Sequence, residues 1–153
     1  ASSIWSHVAF QGYDSGGQGS YTGSVGATGS AKSVDFGDTA PGHGSFSIFF
    51  SDPSISGSNV AFQGLYSGGQ GIYTGTVGAT GAAKIVDTGD TAPGHGAFTA
   101  FGSTASISGS NVAFPGYYSG GQGLYPGTVG APGSTKLVDD GDTAPGHGAS
   151  STL

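Results

Sequence analysis

The chain has 153 residues, about one domain's worth, with 33 glycines, neither cysteine nor methionine, and a formal net charge of −6 from nine acidic residues against three lysines. A surface so poor in cations excludes nucleic acid, which needs a basic face to displace counterions from phosphates, and disfavours anionic membranes. Without cysteine there is no disulfide framework or thiolate site, and no apolar run approaches the roughly 18 residues of a membrane-spanning helix.

The first residues, ASSIWSHVAF, carry neither the basic nor the apolar segment of a secretory signal. From there the chain repeats: VAF stands at 8–10, 60–62 and 112–114, SGGQG at 15–19, 67–71 and 119–123, and GDTAPGHG at 37–44, 89–96 and 141–148, always 52 residues apart. Residues 5–44 and 57–96 agree at 31 of 40 positions, and so do 57–96 and 109–148. The repeats run 1–52, 53–104 and 105–153 within a single domain. Nine Phe, seven Tyr and regularly placed Val and Ile argue for a packed fold over a flexible glycine-serine linker.

Each period predicts four short strands. In the middle copy they are Asn59–Gln63, Gly71–Val77, Ala83–Asp87 and Ala97–Phe101; the first and the last alternate with period two. YSGGQG, GATGA and TGDTAPGHG between them are turn chemistry, rich in residues that accept a positive φ or preset it. No stretch of ten residues avoids glycine with a helical stripe, so the fold class is all-β. Four strands in about 50 residues match a propeller blade; a β-trefoil lobe and a rung of an open stacked β array are the alternatives.

In the third copy, Pro115, Pro126 and Pro132 replace Gln63, Thr74 and Thr80. Pro126 interrupts a strand candidate and belongs at an edge or bulge. In the first copy, Ser20 and Ser33 stand where Ile72, Leu124, Ile85 and Leu137 stand later, which reads as a terminal, solvent-facing repeat. The tail ASSTL replaces the Phe-bearing SFSIFF and AFTAF, and joined to ASSIWSHVAF it makes a shortened linker between repeats. The ends therefore predict association with other copies of the chain, by strand addition, into a ring or filament.

The quoted segments ISGSNVAFQG, GQGIYTG, AAKIVDTGDTAPG and AFTAF resemble the bacterial tandem repeats of the NxxGxxAF type, although Asn59 and Asn111 lie only three residues ahead of Phe62 and Phe114. The resemblance covers all three copies. It implies a secreted or surface-anchored protein of propeller-like β structure and brings no catalytic motif with it.

Candidate chemistry centres on the octapeptide. Asp87, Asp90 and Thr91 offer oxygens to Ca²⁺, short of the six to eight it takes, while a β-turn is the simpler explanation. His43, His95 and His147 could meet at a zinc ion only around a threefold axis. The pairs Tyr21 and Gln18, Tyr73 and Gln70, and Tyr125 and Gln122 suit stacking on sugars; packing of these tyrosines between sheets is the competing reading. No nucleophile elbow or triad is present, SGGQG lacks the lysine of a phosphate loop, and Asn59 and Asn111 are not glycosylation acceptors. The sequence reads as a non-enzymatic extracellular structural protein that self-assembles, with a lectin-like module binding carbohydrate at one shallow site per repeat as the alternative.

Overall fold

The computed structural model describes residues 7–49 and 51–152. The expectations that rest on the head residues 1–6, on Phe50 and on Leu153 lie outside the described residues. Thirteen strands form three antiparallel sheets, with no helix among the described residues.

The first sheet is β1 (His7–Asp14), β2 (Gly17–Ser24) and β3 (Ala31–Asp35), in that order. The second contains β4 (Phe46–Phe49), β5 (Ser54–Ser56), β6 (Asn59–Tyr66), β7 (Gly69–Thr76) and β8 (Ala83–Asp87); β4 and β5 share the outer edge of β6. The third repeats this plan with β9 (Phe98–Phe101), β10 (Ser106–Ser108), β11 (Asn111–Tyr118), β12 (Gly121–Thr128) and β13 (Val138–Asp139). Ala83–Asp87 has the bounds the sequence predicts. The two long strands extend further into SGGQG than expected, because the turn is only Ser67 and Gly68, with Tyr66 paired to Gly69 and Gly68 at φ +98°. A two-residue hairpin of this kind needs a residue at positive φ, which glycine supplies without strain.

The strand after each of the first two octapeptides does not join its own sheet. β4 crosses to the second sheet, where Phe46 lies opposite Tyr66 and Phe49 opposite Gly64, and β9 crosses likewise to the third, with Phe101 opposite Gly116. The 52-residue repeats therefore do not coincide with the sheets, which span 7–35, 46–87 and 98–139. The short strands β5 and β10, absent from the sequence reading, continue the same edge, with Ser54 opposite Ala61 and Ser106 opposite Ala113.

The sheets pack face to face in chain order, and they do not close into a barrel. Strand alternation sends Val60, Phe62, Tyr66 and Tyr73 into a core with Val34, Ala40, Phe46 and Phe49 against the first sheet. The opposite face sends Ala61, Ile72, Ile85 and Val86 into a second core with Phe98, Phe101, Val112, Phe114 and Tyr125. The register slips between Ile72, opposite Val86, and Tyr73, opposite Lys84. That bulge leaves Ile85 as the extra residue, so two successive side chains of β8 face the same core.

Two expectations change. Ser20 and Ser33 are 2% and 0% exposed, so the first repeat is not solvent-facing at these positions: they lie on the face covered by the second sheet. Pro126 sits inside β12, opposite Ala113, and its proposed edge character is visible on the other side. There the five-residue β8 of the second sheet is reduced to the two residues of β13, paired only to Gly123 and Leu124, as expected beside a residue with no N–H to donate.

Candidate functional site

The octapeptide is a closed loop that hands the chain from one sheet to the next. In the middle copy Gly89 and Gly94 take φ of +101° and +84°. Gly89 N–H donates to the carbonyl of Phe98, Phe98 N–H to that of Asp90, Ala92 N–H to that of Gly96 and His95 N–H to that of Ala92. The first copy has the same four bonds one period earlier. A β-turn reading captured the chemistry, and the geometry adds its purpose: the loop closes on itself while its histidine points onto the following sheet.

There His43 Nε2 lies 2.8 Å from Asp87 Oδ2, and its ring stacks on Tyr66 at 3.8 Å and 10°. One period later His95 Nε2 lies 2.7 Å from Asp139 Oδ2 and stacks on Tyr118 at 3.8 Å and 9°. Both aspartates are buried, and a buried carboxylate needs partners. Lys84 Nζ supplies one, 3.2 Å from Asp87 and 3.0 Å from Asp90; Lys136 does the same for Asp139 and Asp142 at 3.2 and 2.9 Å. Burial pushes the Asp90 carboxyl up, but the Asp87 amide and the Lys84 ammonium outweigh it and hold Asp90 below the ordinary carboxylate range. Burial lowers Lys84, and bonds to Asp90 and Asp87 more than restore it, leaving the lysine above its ordinary value.

This arrangement occupies the two carboxylates proposed for calcium. The Asp87 and Asp90 carboxylates hold a lysine, a histidine and the Asp87 amide, so a cation at these carboxylates would have to displace Lys84. Among the described residues no group of three or more His, Cys, Asp or Glu side chains is placed to hold a metal. His43 and His95 sit apart at successive sheet junctions, each with its own aspartate, so the three octapeptide histidines do not meet around one axis.

Of the tyrosine and glutamine pairs, two tyrosines are interior and the glutamines are half-buried. Tyr73 and Tyr125 are fully buried, leaving no ring face for a sugar, and burial pushes both hydroxyls above their ordinary pKa, Tyr125 to about 12. Tyr21 is half-buried, stacked with Phe10. The glutamines clasp the strand of the next sheet. Gln18 Oε1 accepts from the Phe49 amide, while Gln11 Nε2 donates to the Phe49 carbonyl at 2.6 Å. Gln70 Oε1 accepts from the Phe101 amide at 3.3 Å, and Gln63 Nε2 donates to the Phe101 carbonyl at 3.1 Å. Gln122 keeps the position in the third sheet, but Pro115 replaces the donor of the clasp. Sequence reasoning missed Gln11 and Gln63; the signal was their exchange for proline only in the last copy.

Neither the profiles of known protein families nor the curated proteins contain a match to this chain. Two faces, one on the third sheet and one on the first, carry exposed apolar side chains. On the third sheet Leu137 is 64% exposed, whereas its equivalent Ile85 is 0% exposed, and a hollow of about 340 Å³ is lined by Pro115, Tyr117, Gln122, Gly123, Leu124 and Val138. On the first sheet Val8 and Phe10 are exposed, although Val60 and Phe62 are buried. Among the described residues no helix is long and apolar enough to cross a membrane.

Proposed function

We propose that the chain is a non-enzymatic structural repeat protein of the cell exterior that assembles by stacking copies end to end. The observation that carries this reading is that the exposed face of the third sheet and that of the first are the two halves of a junction the molecule builds twice internally. Leu124 and Leu137 stand in the places of Ile72 and Ile85, and Val8 and Phe10 in the places of Val112 and Phe114. Exposed apolar surface of this kind marks an interaction site, and a head-to-tail contact propagates into a fibre unless its rotation closes a ring. The Lys–Asp–His cluster supports a non-catalytic role, since the same residues tie sheet to sheet at both internal junctions. The low charge, the absence of sulfur and the resemblance to NxxGxxAF-type bacterial repeats support an extracellular setting. Sedimentation velocity across a micromolar dilution series tests the reading: the wild-type chain sediments as concentration-dependent oligomers and Leu137→Asp as a monomer. A wild-type chain that is monomeric throughout refutes it.

A further inference from the structure

We propose that the hollow between the second and third sheets, where β7 runs into its Val-Gly-Ala-Thr-Gly loop, is a binding site for a neutral saccharide. It shares no residue with the tyrosine and glutamine pairs. It also goes beyond end-to-end stacking and does not depend on it, because both walls of the hollow belong to one chain.

The near wall is the end of β7, with Thr74 and Thr76, and the loop 77–82 that leads into β8. Val129 and Gly130, at the same turn of the third sheet, close the far side and leave a hollow of about 430 Å³. One sheet earlier an equivalent hollow of about 330 Å³ lies between Thr22 and Ser24 on one side and Val77 and Gly78 on the other. Sites for small ligands begin at roughly this size. The loop is held in place at three points: Val77 N–H donates to the Ser58 carbonyl at 2.8 Å, Ala79 N–H to that of Thr76 at 3.1 Å, and Gly81 N–H to that of Ser33 at 2.8 Å. A wall fixed in this way does not have to be ordered by its ligand, which favours binding.

Thr74 points to the chemistry of the occupant. It is 2% exposed and lines the hollow, and its hydroxyl has no hydrogen-bond partner among the described residues. Its counterpart Thr22 instead reaches the Ala31 carbonyl at 3.4 Å. Buried hydroxyls are ordinarily bonded, so Thr74 is a group in want of a partner. At the exposed rim Thr76 and Thr80 add two more hydroxyls, and Ala79, Ala82 and Val129 place methyl groups between them. No charged side chain lines the hollow, and Lys84, just beyond it in the chain, is held by Asp87 and Asp90. An anion would find no cation here, and a purely apolar ligand would leave the Thr74 hydroxyl unpaired at a cost. A neutral sugar ring carries hydroxyls around its edge and C–H groups on its faces, which is the pattern of the wall.

The third copy supplies a control. Pro126 and Pro132 stand in the places of Thr74 and Thr80 and line a hollow of about 510 Å³. It is roomier than the other two but lacks both of these hydroxyls, so it should not bind the same ligand.

The test is an amide-shift titration of the full chain with three neutral hexasaccharides: β-1,4-linked glucose, β-1,4-linked N-acetylglucosamine and α-1,4-linked glucose. Saturable shifts at the amides of Thr74 to Ala83 are expected with at least one of them, without comparable shifts from Thr128 to Thr135. Thr74→Val keeps the shape of the wall and removes the hydroxyl, and should weaken binding about tenfold, the upper worth of one hydrogen bond. Should that variant fail to fold, Thr80→Val on the exposed rim carries the same test. The proposal is overturned if all three sugars leave these amides unmoved, if the third hollow responds equally, if the shifts centre on Gln18 and Tyr21, or if the folded valine variant binds as the wild type does. Sedimentation of the same samples keeps the two ideas apart: oligomers without sugar shifts defeat the saccharide site alone, and a monomer that binds sugar defeats stacking alone.

Discussion

Phe10, Phe62 and Phe114 occupy one sequence position in three copies, inside the same VAF motif and opposite the tyrosines Tyr21, Tyr73 and Tyr125. They differ in what covers them, at 40%, 1% and 0% exposed. Truncating a fully buried Phe to Ala costs about 3–5 kcal/mol, the lost transfer energy plus the cavity left behind. Phe10 has already given up about two-fifths of its burial and leaves an open notch in place of a cavity. With a full-burial value of about 1.5–3 kcal/mol, its truncation should cost only about 1–2 kcal/mol. The gap of about 2–3 kcal/mol corresponds to about 4–12 °C in Tm for a chain of this size. Denaturant unfolding by circular dichroism, run dilute enough to keep the chain monomeric, measures it, and the milder Phe→Leu series preserves the ranking if Phe62→Ala or Phe114→Ala fails to fold. Equal costs at the three positions would refute the stacked arrangement, because nothing in the local sequence separates them.

Acid should loosen the loops before alkali does. Asp38, Asp90 and Asp142 have folded pKa values below the ordinary one, so their contribution is complete above about pH 4 and is lost as pH falls through the folded values; a Tm series from pH 6 to 2 should decline only at its acid end. At the other extreme Tyr125, raised to about 12, and Tyr73, also raised, stabilise the fold up to about pH 10 and withdraw that stability above it. Absorbance at 295 nm should therefore show these two phenolates ionising only together with unfolding. Replacing His95 by Ala should cost about 1–3 kcal/mol by leaving Asp139 with Lys136 alone, and a double-mutant cycle with Asp139→Asn should recover most of that as coupling.

The period, the all-β class and the turns were legible because each is written locally: apolar alternation in NVAFQ, a glycine where φ must be positive, proline where a ladder thins out. The assignment of strands to sheets was not. Nothing around Phe98 says whether it packs beside β8 or crosses to β11, since both are antiparallel partners of the right length; the clue lies 18 residues on, in a glycine at 116 that makes sense only beneath a ring. For the same reason Ser20 and Ser33 misled. A small polar residue in place of isoleucine reads as exposure, yet here it is accommodated beneath a neighbour that the local pattern does not specify. The tyrosine and glutamine pairs had both of their readings open in the sequence, and only the depth of Tyr73 and Tyr125 separates them.

The buried serines give the molecule a direction. Ser20 and Ser33 present to the second sheet hydroxyls that have no hydrogen-bond partner among the described residues, whereas Ile72 and Ile85 present hydrocarbon to the third. Each isoleucine is worth about 1.5–3 kcal/mol of burial, and each orphaned hydroxyl costs about 1–3 kcal/mol. The two joints are thus built on one plan at unequal strength. Under tension, or in a slow thermal ramp, the first sheet should peel away while the second and third stay mated, so that the molecule sheds its head and keeps the joint behind it.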